Sequence, residues 1–439
     1  MATKLKTINI ITLGCAKNRV DSEHIAHSIH QQYDVTFDRE DFGSEDFCFD
    51  VVVINTCGFI LDAKTESIDA ILMACEAKRV GQIGKLYVMG CLSQRYEKEL
   101  RQEITEVDEF YGARDFTELR SALSAQEGCI GRTLSTPPHT AYLKIAEGCN
   151  WGCGYCAIPL IRGAYRSVPI EDLLAEAEWL SQRGTKEIVV IAQDTTYYGM
   201  DIYGKRRLGD LLSELCKIEG IEWIRLQYGY PAQFPRDVIE VMAREEKICN
   251  YLDLPFQHIS DNVLSAMRRG LSKAQTMELI EELRKGVKGI ALRTTLLVGY
   301  PGESEEDFSE LCEFVKEVKF ERLGVFAYSA EEGTYSAENL EDNLTQEEKE
   351  ERVARIMKLQ ESIAAENSAQ RVGQTIRVLF DRVEGDYLVG RSQWDSLDVD
   401  GEVLVHVDSL HYDEYDYIGT FENVVINSSD THDLFGTIA

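Results

Sequence analysis

The sequence predicts an α/β protein with an N-terminal open parallel sheet, a central partial (βα)6 barrel of the TIM type and a small C-terminal antiparallel β-barrel. Two series of β-branched runs alternate with amphipathic helical patterns, which favours parallel sheets covered by helices. Short alternating runs separated by Gly, Asp and Ser follow and indicate a small barrel. The 439 residues are enough for three such units. We therefore assign the three domains to residues 1–135, 136–370 and 371–439.

The first domain contains three strand-like runs that each end at a cysteine. The runs and their cysteines are 8–14 with Cys15, 50–55 with Cys57, and 85–90 with Cys91. Because the carboxyl ends of parallel strands lie along one ligand-binding edge, we expect the three thiols to meet there. A buried apolar thiol is the alternative for any one of them. The repeated pattern favours a three-thiolate site for an iron-sulfur cluster, and Asp21 or Ser22 is predicted to cap the helix that follows Cys15.

The second domain begins after a stretch rich in turn-forming residues, 126–140. Strand patterns alternate with helical patterns from there on, which predicts a six-stranded βα unit. The candidate strands are 141–146, 187–193, 223–229, 251–257, 290–299 and 322–329. A capping box of Thr345 and Glu348 opens a helix over 346–369 that leads to the last domain.

A cysteine-rich loop follows the first strand of the second domain. The segment AYLKIAEGCNWGCGYCAIP, residues 141–159, places Cys149, Cys153 and Cys156 in the spacing Cys-x-x-x-Cys-x-x-Cys. Three thiolates can hold three irons of a [4Fe-4S] cluster and leave the fourth iron open to a small ligand. A structural zinc site is the alternative, but it needs a fourth Cys or His to complete a tetrahedron. In a parallel barrel this loop lies at the edge where the chemistry takes place.

The charge of the chain restricts its partners. The formal net charge is −30, so nucleic acid is repelled and a basic protein is attracted. The last 69 residues carry four arginines against fourteen carboxylates, a net charge of −10. No apolar run approaches the roughly 20 residues that span a bilayer, and no signal peptide is evident. We therefore expect a cytoplasmic protein, with cysteines used for metal binding rather than for disulfides.

The cysteine spacing of residues 149–156 closely resembles that of the radical S-adenosylmethionine (SAM) enzymes. In that family the methionine end of SAM chelates the open iron, and one electron from the cluster cleaves SAM to a 5′-deoxyadenosyl radical. The three domains together resemble the methylthiotransferases, whose short C-terminal module is the TRAM domain. Within that group LGCAKNRVDSE, residues 13–23, resembles the enzymes that act on ribosomal protein uS-twelve, whereas the transfer-RNA branch usually reads GCQMN.

The resemblance implies two [4Fe-4S] clusters, bound SAM and a set of SAM contacts. An aromatic side chain beside the adenine, polar residues at strand ends, a cation for the SAM carboxylate and a glycine-rich turn are expected. In the same order, these are Tyr155, then Gln193 and Gln257, then Arg293, and finally Gly299 with Gly302. Each has a structural alternative: loop packing, helix capping, a protein carboxylate as partner for the arginine, and a βα turn capped by Ser304 with Asp307.

The resemblance also implies the reaction. A methylthio group would be placed on the β-carbon of an aspartate of ribosomal protein uS-twelve, with one SAM as methyl donor and another as radical source. The acidic last domain would bind this basic substrate, and a flavodoxin or ferredoxin would supply electrons. No transfer-RNA substrate and no membrane partner are expected. The alternatives are methylthiolation of a transfer-RNA adenosine and a non-catalytic iron-sulfur protein.

Overall fold

The computed structural model describes residues 5–126 and 131–439 and confirms the predicted fold class. Part of the turn-rich stretch 126–140 lies outside the described residues, as does Cys129, which shows no strand-end pattern in the sequence. Within the described residues, no helix is both long enough and apolar enough to cross a membrane.

The N-terminal domain is a five-stranded parallel sheet in the order β2-β1-β3-β4-β5. The three predicted strands are β1, β3 and β4, whereas the short strands β2 and β5 carry no clear sequence signal. In chain order the elements are β1 (Lys6–Thr12), α1 (Ala16–Ile29), β2 (Tyr33–Phe37), β3 (Phe49–Thr56), α2 (Leu61–Arg79), β4 (Ile83–Gly90), α3 (Cys91–Glu103), β5 (Glu109–Phe110) and α4 (Thr117–Ala122).

The start of α1 differs from the prediction. Asp21 and Ser22 do not cap this helix, because it begins at Ala16 with Cys15 as its N-cap residue. Gly14 has φ +87°, which turns the chain directly from β1 into the helix. The acidic and hydroxyl side chains are therefore buried within the helix and are available for contacts with other elements.

The central domain is a six-stranded parallel sheet that curls into an open barrel, in the order β6-β9-β10-β11-β12-β13. All six predicted strands are present. Its elements are β6 (Thr140–Lys144), β7 (Ala146–Glu147), α5 (Ile158–Arg162), β8 (Arg166–Ser167), α6 (Ile170–Ser181), β9 (Glu187–Ile191), α7 (Met200–Tyr203), α8 (Leu208–Leu215), β10 (Trp223–Leu226), α9 (Arg236–Arg244), β11 (Ile248–Asp253), α10 (Asp261–Ala266), α11 (Lys273–Gly286), β12 (Ala291–Val298), α12 (Glu305–Val318), β13 (Arg322–Ala327), α13 (Tyr335–Asn339) and α14 (Gln346–Ala369).

The two faces of the central sheet contact different partners. Ile188 and Val190 of β9 belong to the large core between the sheet and its helices. Val189 and Ile191 point the other way and pack with Val20 of α1. Strand side chains alternate between faces, so the inner face of the barrel contacts the N-terminal domain. The predicted capping boxes at the starts of α12 and α14 are both present.

The C-terminal domain is a closed five-stranded barrel in the order β14-β15-β16-β18-β17. Its pairs are antiparallel as predicted, except that β16 pairs with β18 in parallel. The strands are β14 (Thr375–Glu384), β15 (Tyr387–Ser392), β16 (Val403–His406), β17 (Phe421–Ser429) and β18 (Leu434–Ile438).

Buried ion pairs join this barrel to the central domain. Arg391 lies 2.7 Å from carboxylate oxygens of both Asp381 and Glu187. Glu187 also accepts a hydrogen bond from Arg225, and His139 lies 3.0 Å from Asp381. Asp381 of the last domain is therefore neutralised inside the protein.

Candidate functional site

The first group of cysteines converges at the carboxyl edge of the N-terminal sheet. Cys15 precedes α1, Cys57 follows β3, and Cys91 is the first residue of α3. A Cβ on Gly14 would lie 2.9 Å from the Cys57 Sγ, and one on Gly58 would lie 2.8 Å from the Cys91 carbonyl carbon. Glycine at these two positions therefore lets the three thiol-bearing turns approach closely, as the strand-end pattern predicts.

Polar side chains beside the first group are suited to thiolates. The buried Arg162 donates from Nε to the Cys91 Sγ at 3.3 Å, and from Nη2 to the Asn18 side chain. Burial raises the pKa of the Cys91 thiol, and Arg162 opposes this. Burial also raises the pKa of Cys15, but Lys17 and Arg162 lower it by more, so its pKa falls below the ordinary value. Burial raises the pKa of Cys57 to about 11 as well, so Cys15 is the thiol of this group whose surroundings favour the thiolate before metal binds.

The second group lies on the loop between β7 and α5. The loop returns to its starting point because β7 pairs with β8 and the Cys149 N–H donates to the Gly163 carbonyl at 3.1 Å. Tyr230 Oη and Arg269 Nη1 each lie 3.5 Å from the Cys153 Sγ. The Trp151 N–H donates to the Cys149 Sγ at 3.5 Å. Hydrogen bonds of this kind orient cluster ligands and tune cluster potentials.

The three cysteines of the second group are suited to bind three irons of one cluster. Burial raises the pKa of Cys149 and of Cys156 to about 12, and neighbouring thiols add to the increase. The thiols of Cys149 and Cys156 are therefore protonated at neutral pH before metal binds, and they would release their protons on binding metal. Among the described residues, no three His, Cys, Asp or Glu side chains are close enough to hold one metal ion. A cubane cluster instead uses separate irons as corners, one for each thiolate.

A buried ion network connects the two groups. Asp21 of α1 and Glu147 of β7 each contact both Lys144 and Arg162. Arg162 lies 3.0 Å from the Asp21 carboxylate and 3.1 Å from the Glu147 carboxylate. Burial raises the pKa of Glu147, but Lys144 and Arg162 lower it to about 2. The network joins the N-terminal domain to the loop that carries Cys149.

An aromatic stack lies beside the second group. The rings of Trp151 and Tyr230 are parallel, with centroids 4.1 Å apart. Trp151 Nε1 donates to Asp194 Oδ2 at 2.6 Å, while the other carboxylate oxygen of Asp194 accepts from the N–H of Thr196. Asp194, at the end of the second barrel strand, therefore caps the following turn and also fixes the indole ring.

Three of the predicted SAM contacts lie at the same edge of the barrel. Tyr155 packs against a small apolar cluster, and its hydroxyl accepts from Arg269 at 3.3 Å. Gln193 donates to Glu147 at 2.5 Å, while its side-chain amide oxygen is buried and accepts no hydrogen bond from the described residues. Gln257 has φ +71° and forms a backbone bridge to Leu296. The unpaired amide oxygen of Gln193 is thus a free acceptor for a ligand donor.

Two of the remaining predicted contacts, Gly299 and Arg293, have protein partners. Gly299 has φ +71°, and a Cβ there would lie 2.4 Å from the Lys349 side chain. Gly302 has φ +85° and no atom near its Cβ position. Arg293 pairs with Asp253 at 3.1 Å and approaches Asp400 of the last domain at 3.6 Å. Its partner is therefore a protein carboxylate, and we do not assign Arg293 to SAM.

A cavity of about 870 Å³ lies elsewhere, between β13, α14 and the C-terminal barrel. Arg293, Arg322 and Asp400 are among its lining residues, and none of the six site cysteines lines it. The sequence predicts that the other cysteines are packing residues, since none follows the strand-end pattern. Those of the described chain are buried, apart from Cys48, which is exposed and so is not a packing residue. Sequence reasoning did not identify Asn18, Arg162 or Arg269, because only their tertiary contacts distinguish them.

Models of three protein families match the chain in sequence. The Radical SAM superfamily matches residues 143–315, the uncharacterized protein family UPF0004 matches residues 7–112, and the TRAM domain matches residues 372–439. The UPF0004 match includes the first cysteine group, and the Radical SAM match includes the second.

Similar proteins are known both in sequence and in structure. Ribosomal protein uS12 methylthiotransferase RimO of Phocaeicola vulgatus is 50% identical, over 99% of this chain and 100% of that protein. The protein of the same name from Cytophaga hutchinsonii is 50% identical, over 98% of this chain and 97% of its own. The radical SAM methyltransferase TsrM from Kitasatospora setae shares the fold, with a TM-score of 0.57 and 13% identity over 76% of this chain and 74% of that chain. The chain therefore belongs to the radical SAM methylthiotransferases, the enzyme family that includes these RimO proteins.

Proposed function

We propose that this enzyme places a methylthio group on the β-carbon of an aspartate of ribosomal protein uS12, using one SAM as methyl donor and a second as radical source. The observation that supports this is the end-to-end similarity, 50% over 99% of the chain, to proteins named for uS12 methylthiolation. Two convergent groups of three cysteines lie within that similarity. Each group would hold one [4Fe-4S] cluster: Cys15, Cys57 and Cys91 the first, and Cys149, Cys153 and Cys156 the second.

The protein residues supply ligands, orientation and exclusion of water. When bound, the clusters and SAM supply the sulfur carrier, the methyl group and the radical. Arg162 donates to the sulfur of Cys91, and Arg269 donates to that of Cys153. The buried ion network around Arg162 holds the two groups in one fixed relation, which is the positioning that a transfer between them requires.

SAM would bind at the carboxyl edge of the barrel, next to the second group. We assign Tyr155 to the adenine, and the free amide oxygen of Gln193 to a donor on SAM. Gln257 and the turn at Gly299 and Gly302 complete the proposed contacts. The positive φ of both glycines suits a close backbone approach.

The acidic C-terminal barrel would bind the basic substrate. Some of its fourteen carboxylates are neutralised in the interior, but Asp408, Asp413 and Asp416 are exposed on one short segment. Tyr412 and Tyr415 of that segment are 74% and 65% exposed. Exposed aromatic rings among carboxylates favour arginine and lysine side chains, through cation–π contacts and charge. The same charges disfavour transfer RNA.

The test is anaerobic turnover by the reconstituted protein. It is incubated with SAM and a flavodoxin or ferredoxin as reductant, together with either uS12 or unmodified transfer RNA. We expect 5′-deoxyadenosine to form and uS12 to gain the mass of a methylthio group less one hydrogen. Modification of the transfer RNA instead would assign the adenosine substrate. Absence of 5′-deoxyadenosine in both reactions would support a non-catalytic iron-sulfur protein.

A further inference from the structure

Lys17 is a buried cation beside the first cysteine group. It follows Cys15 by two residues at the start of α1, and only 8% of its surface is exposed. Its Nζ lies 3.3 Å from the centroid of the Tyr228 ring, which follows β10 of the barrel. The flanking residues Ala16 and Val20 pack against the inner face of β6 and β9. Lys17 therefore reaches from the N-terminal domain into the mouth of the barrel.

No protein carboxylate pairs with this cation. Among residues 5–126 and 131–439, no Asp or Glu oxygen lies within 4.0 Å of the Lys17 Nζ. The face of the Tyr228 ring attracts an ammonium, but it offsets only part of the cost of burying an unpaired charge. A buried charge without a partner in the protein is suited to an anionic ligand.

The carboxylates nearest to this region already pair with other cations. Asp21 and Glu147 each pair with both Lys144 and Arg162. With Lys17 included, this region holds three cations against two carboxylates. The surplus positive charge belongs to Lys17, because it is the cation with no carboxylate contact.

Three anions are available to Lys17: a thiolate of the first group, the SAM carboxylate and a carboxylate of the substrate. The Cys91 sulfur already accepts from Arg162, and SAM belongs beside the second group. Lys17 lowers the pKa of Cys15, but within the described residues its Nζ forms no hydrogen bond to that sulfur. In the proposed reaction, sulfur held at the first group bonds to the β-carbon of aspartate. The carboxyl carbon of that side chain is bonded directly to the β-carbon, so the carboxylate must lie close to the first group during the transfer.

We propose that Lys17 binds the side-chain carboxylate of the aspartate that is modified, and thereby selects an acidic residue. This inference rests on the proposed function. Lys17 acts here as a substrate-binding residue that places the β-carbon next to the first cysteine group. A carboxylate held by a buried ammonium is fixed in position and loses little to solvent screening.

The test is a cycle of binding measurements on reconstituted full-length protein, under anaerobic conditions with SAM and without reductant. Two probes are used: uS12, and uS12 with the modified aspartate changed to asparagine. Wild type is compared with Lys17→Met and with the control Lys85→Met, whose side chain is 58% exposed and pairs with Asp108. We expect Lys17→Met to weaken binding of uS12 about tenfold to a hundredfold. Lys17→Met should change the affinity for the asparagine probe by less than about twofold. Lys85→Met should leave the affinities for both probes unchanged.

Two results would overturn the inference. One is an equal loss of affinity for both probes. The other is loss of iron, or an altered electron paramagnetic resonance spectrum, in Lys17→Met, since Lys17 would then serve the cluster. Product formation by wild type is measured separately. If the affinities differ as expected but no methylthiolated uS12 forms, the proposed function is refuted, whereas the assignment of Lys17 as a carboxylate-binding residue is supported. If product forms while Lys17→Met affects both probes equally, only the inference fails.

Discussion

Arg162→Met removes the centre of the ion network that joins the first two domains. Arg162 is 2% exposed, and its guanidinium contacts Asp21, Glu147, Asn18 and the Cys91 sulfur. Methionine has a similar length but no donors. The variant therefore leaves two buried carboxylates with Lys144 as their remaining cation.

The loss of stability expected in Arg162→Met follows from two estimates. Removing one partner of a buried ion pair costs about 3–5 kcal/mol. The pKa of Glu147 is lowered from 4.5 to about 2, a net shift that favours its charged form by about 3 kcal/mol after the cost of burial, with Lys144 and Arg162 as the main stabilising charges. Roughly half of that is lost with Arg162, and the bonds to Asp21 and Asn18 are lost in addition. We expect a total loss of about 3 kcal/mol.

Hydrogen exchange of α1 measures this loss locally. A change of about 3 kcal/mol corresponds to exchange about 150-fold faster in peptides from residues 16–29 of the reconstituted protein. The control Arg166→Met removes an exposed arginine that donates to the Arg114 carbonyl, and it should change exchange less than about twofold. Unchanged protection of α1 in Arg162→Met, or equal acceleration in the control, would show that the network does not hold the domains together.

Further predictions concern the clusters, pH and substrate charge. Replacing the three cysteines of the loop 149–156 with alanine should leave about half of the iron of the wild-type protein, measured after anaerobic reconstitution. Burial lowers the pKa of His258 to about 4, so its contribution to stability is present above the unfolded value of 6.5 and is lost as pH falls towards 4. At pH 5 the loss is about 2 kcal/mol, and His258→Gln should remove this part of the pH dependence of urea unfolding. Asp413→Asn combined with Asp416→Asn should raise the Kd for uS12 about twofold to tenfold at low salt and have less effect at high salt.

Each of these predictions has an outcome that contradicts it. All or none of the iron remaining in the triple cysteine variant would show that the ligands are misassigned. An unchanged pH dependence in His258→Gln would mean that His258 is not held neutral in the folded protein. Tighter binding of uS12 by the doubly neutralised barrel would show that the segment 408–416 does not attract the substrate.

The strands and the cysteine turns were predictable because they depend on local sequence. Runs such as the one before Cys57 form a buried parallel strand, and the edge where such strands end is set by topology. Arg162 was not predictable, since its partner Asp21 is 141 residues away in sequence. The early start of α1 has a local cause: Gly14 turns the chain directly into the helix, which leaves Asp21 free for that contact.

The charges of the C-terminal domain show another limit of sequence reasoning. A count of carboxylates treats all of them as surface groups. Asp381, Asp395 and Asp400 are instead buried against arginines of the central domain or of the barrel itself. Arg293, whose partner could not be predicted from the sequence, pairs with Asp400. Ion pairs between residues far apart in the chain leave no local pattern in the sequence.

Mass spectrometry of uS12 from cells with and without this gene tests the central claim most directly. The account predicts that one aspartate of uS12 carries a methylthio group on its β-carbon when the gene is present. The same aspartate should be unmodified when the gene is deleted, and the group should return when the wild-type gene is restored but not with the triple cysteine variant. An aspartate that is unmodified in both strains, or modified in both, would contradict the account.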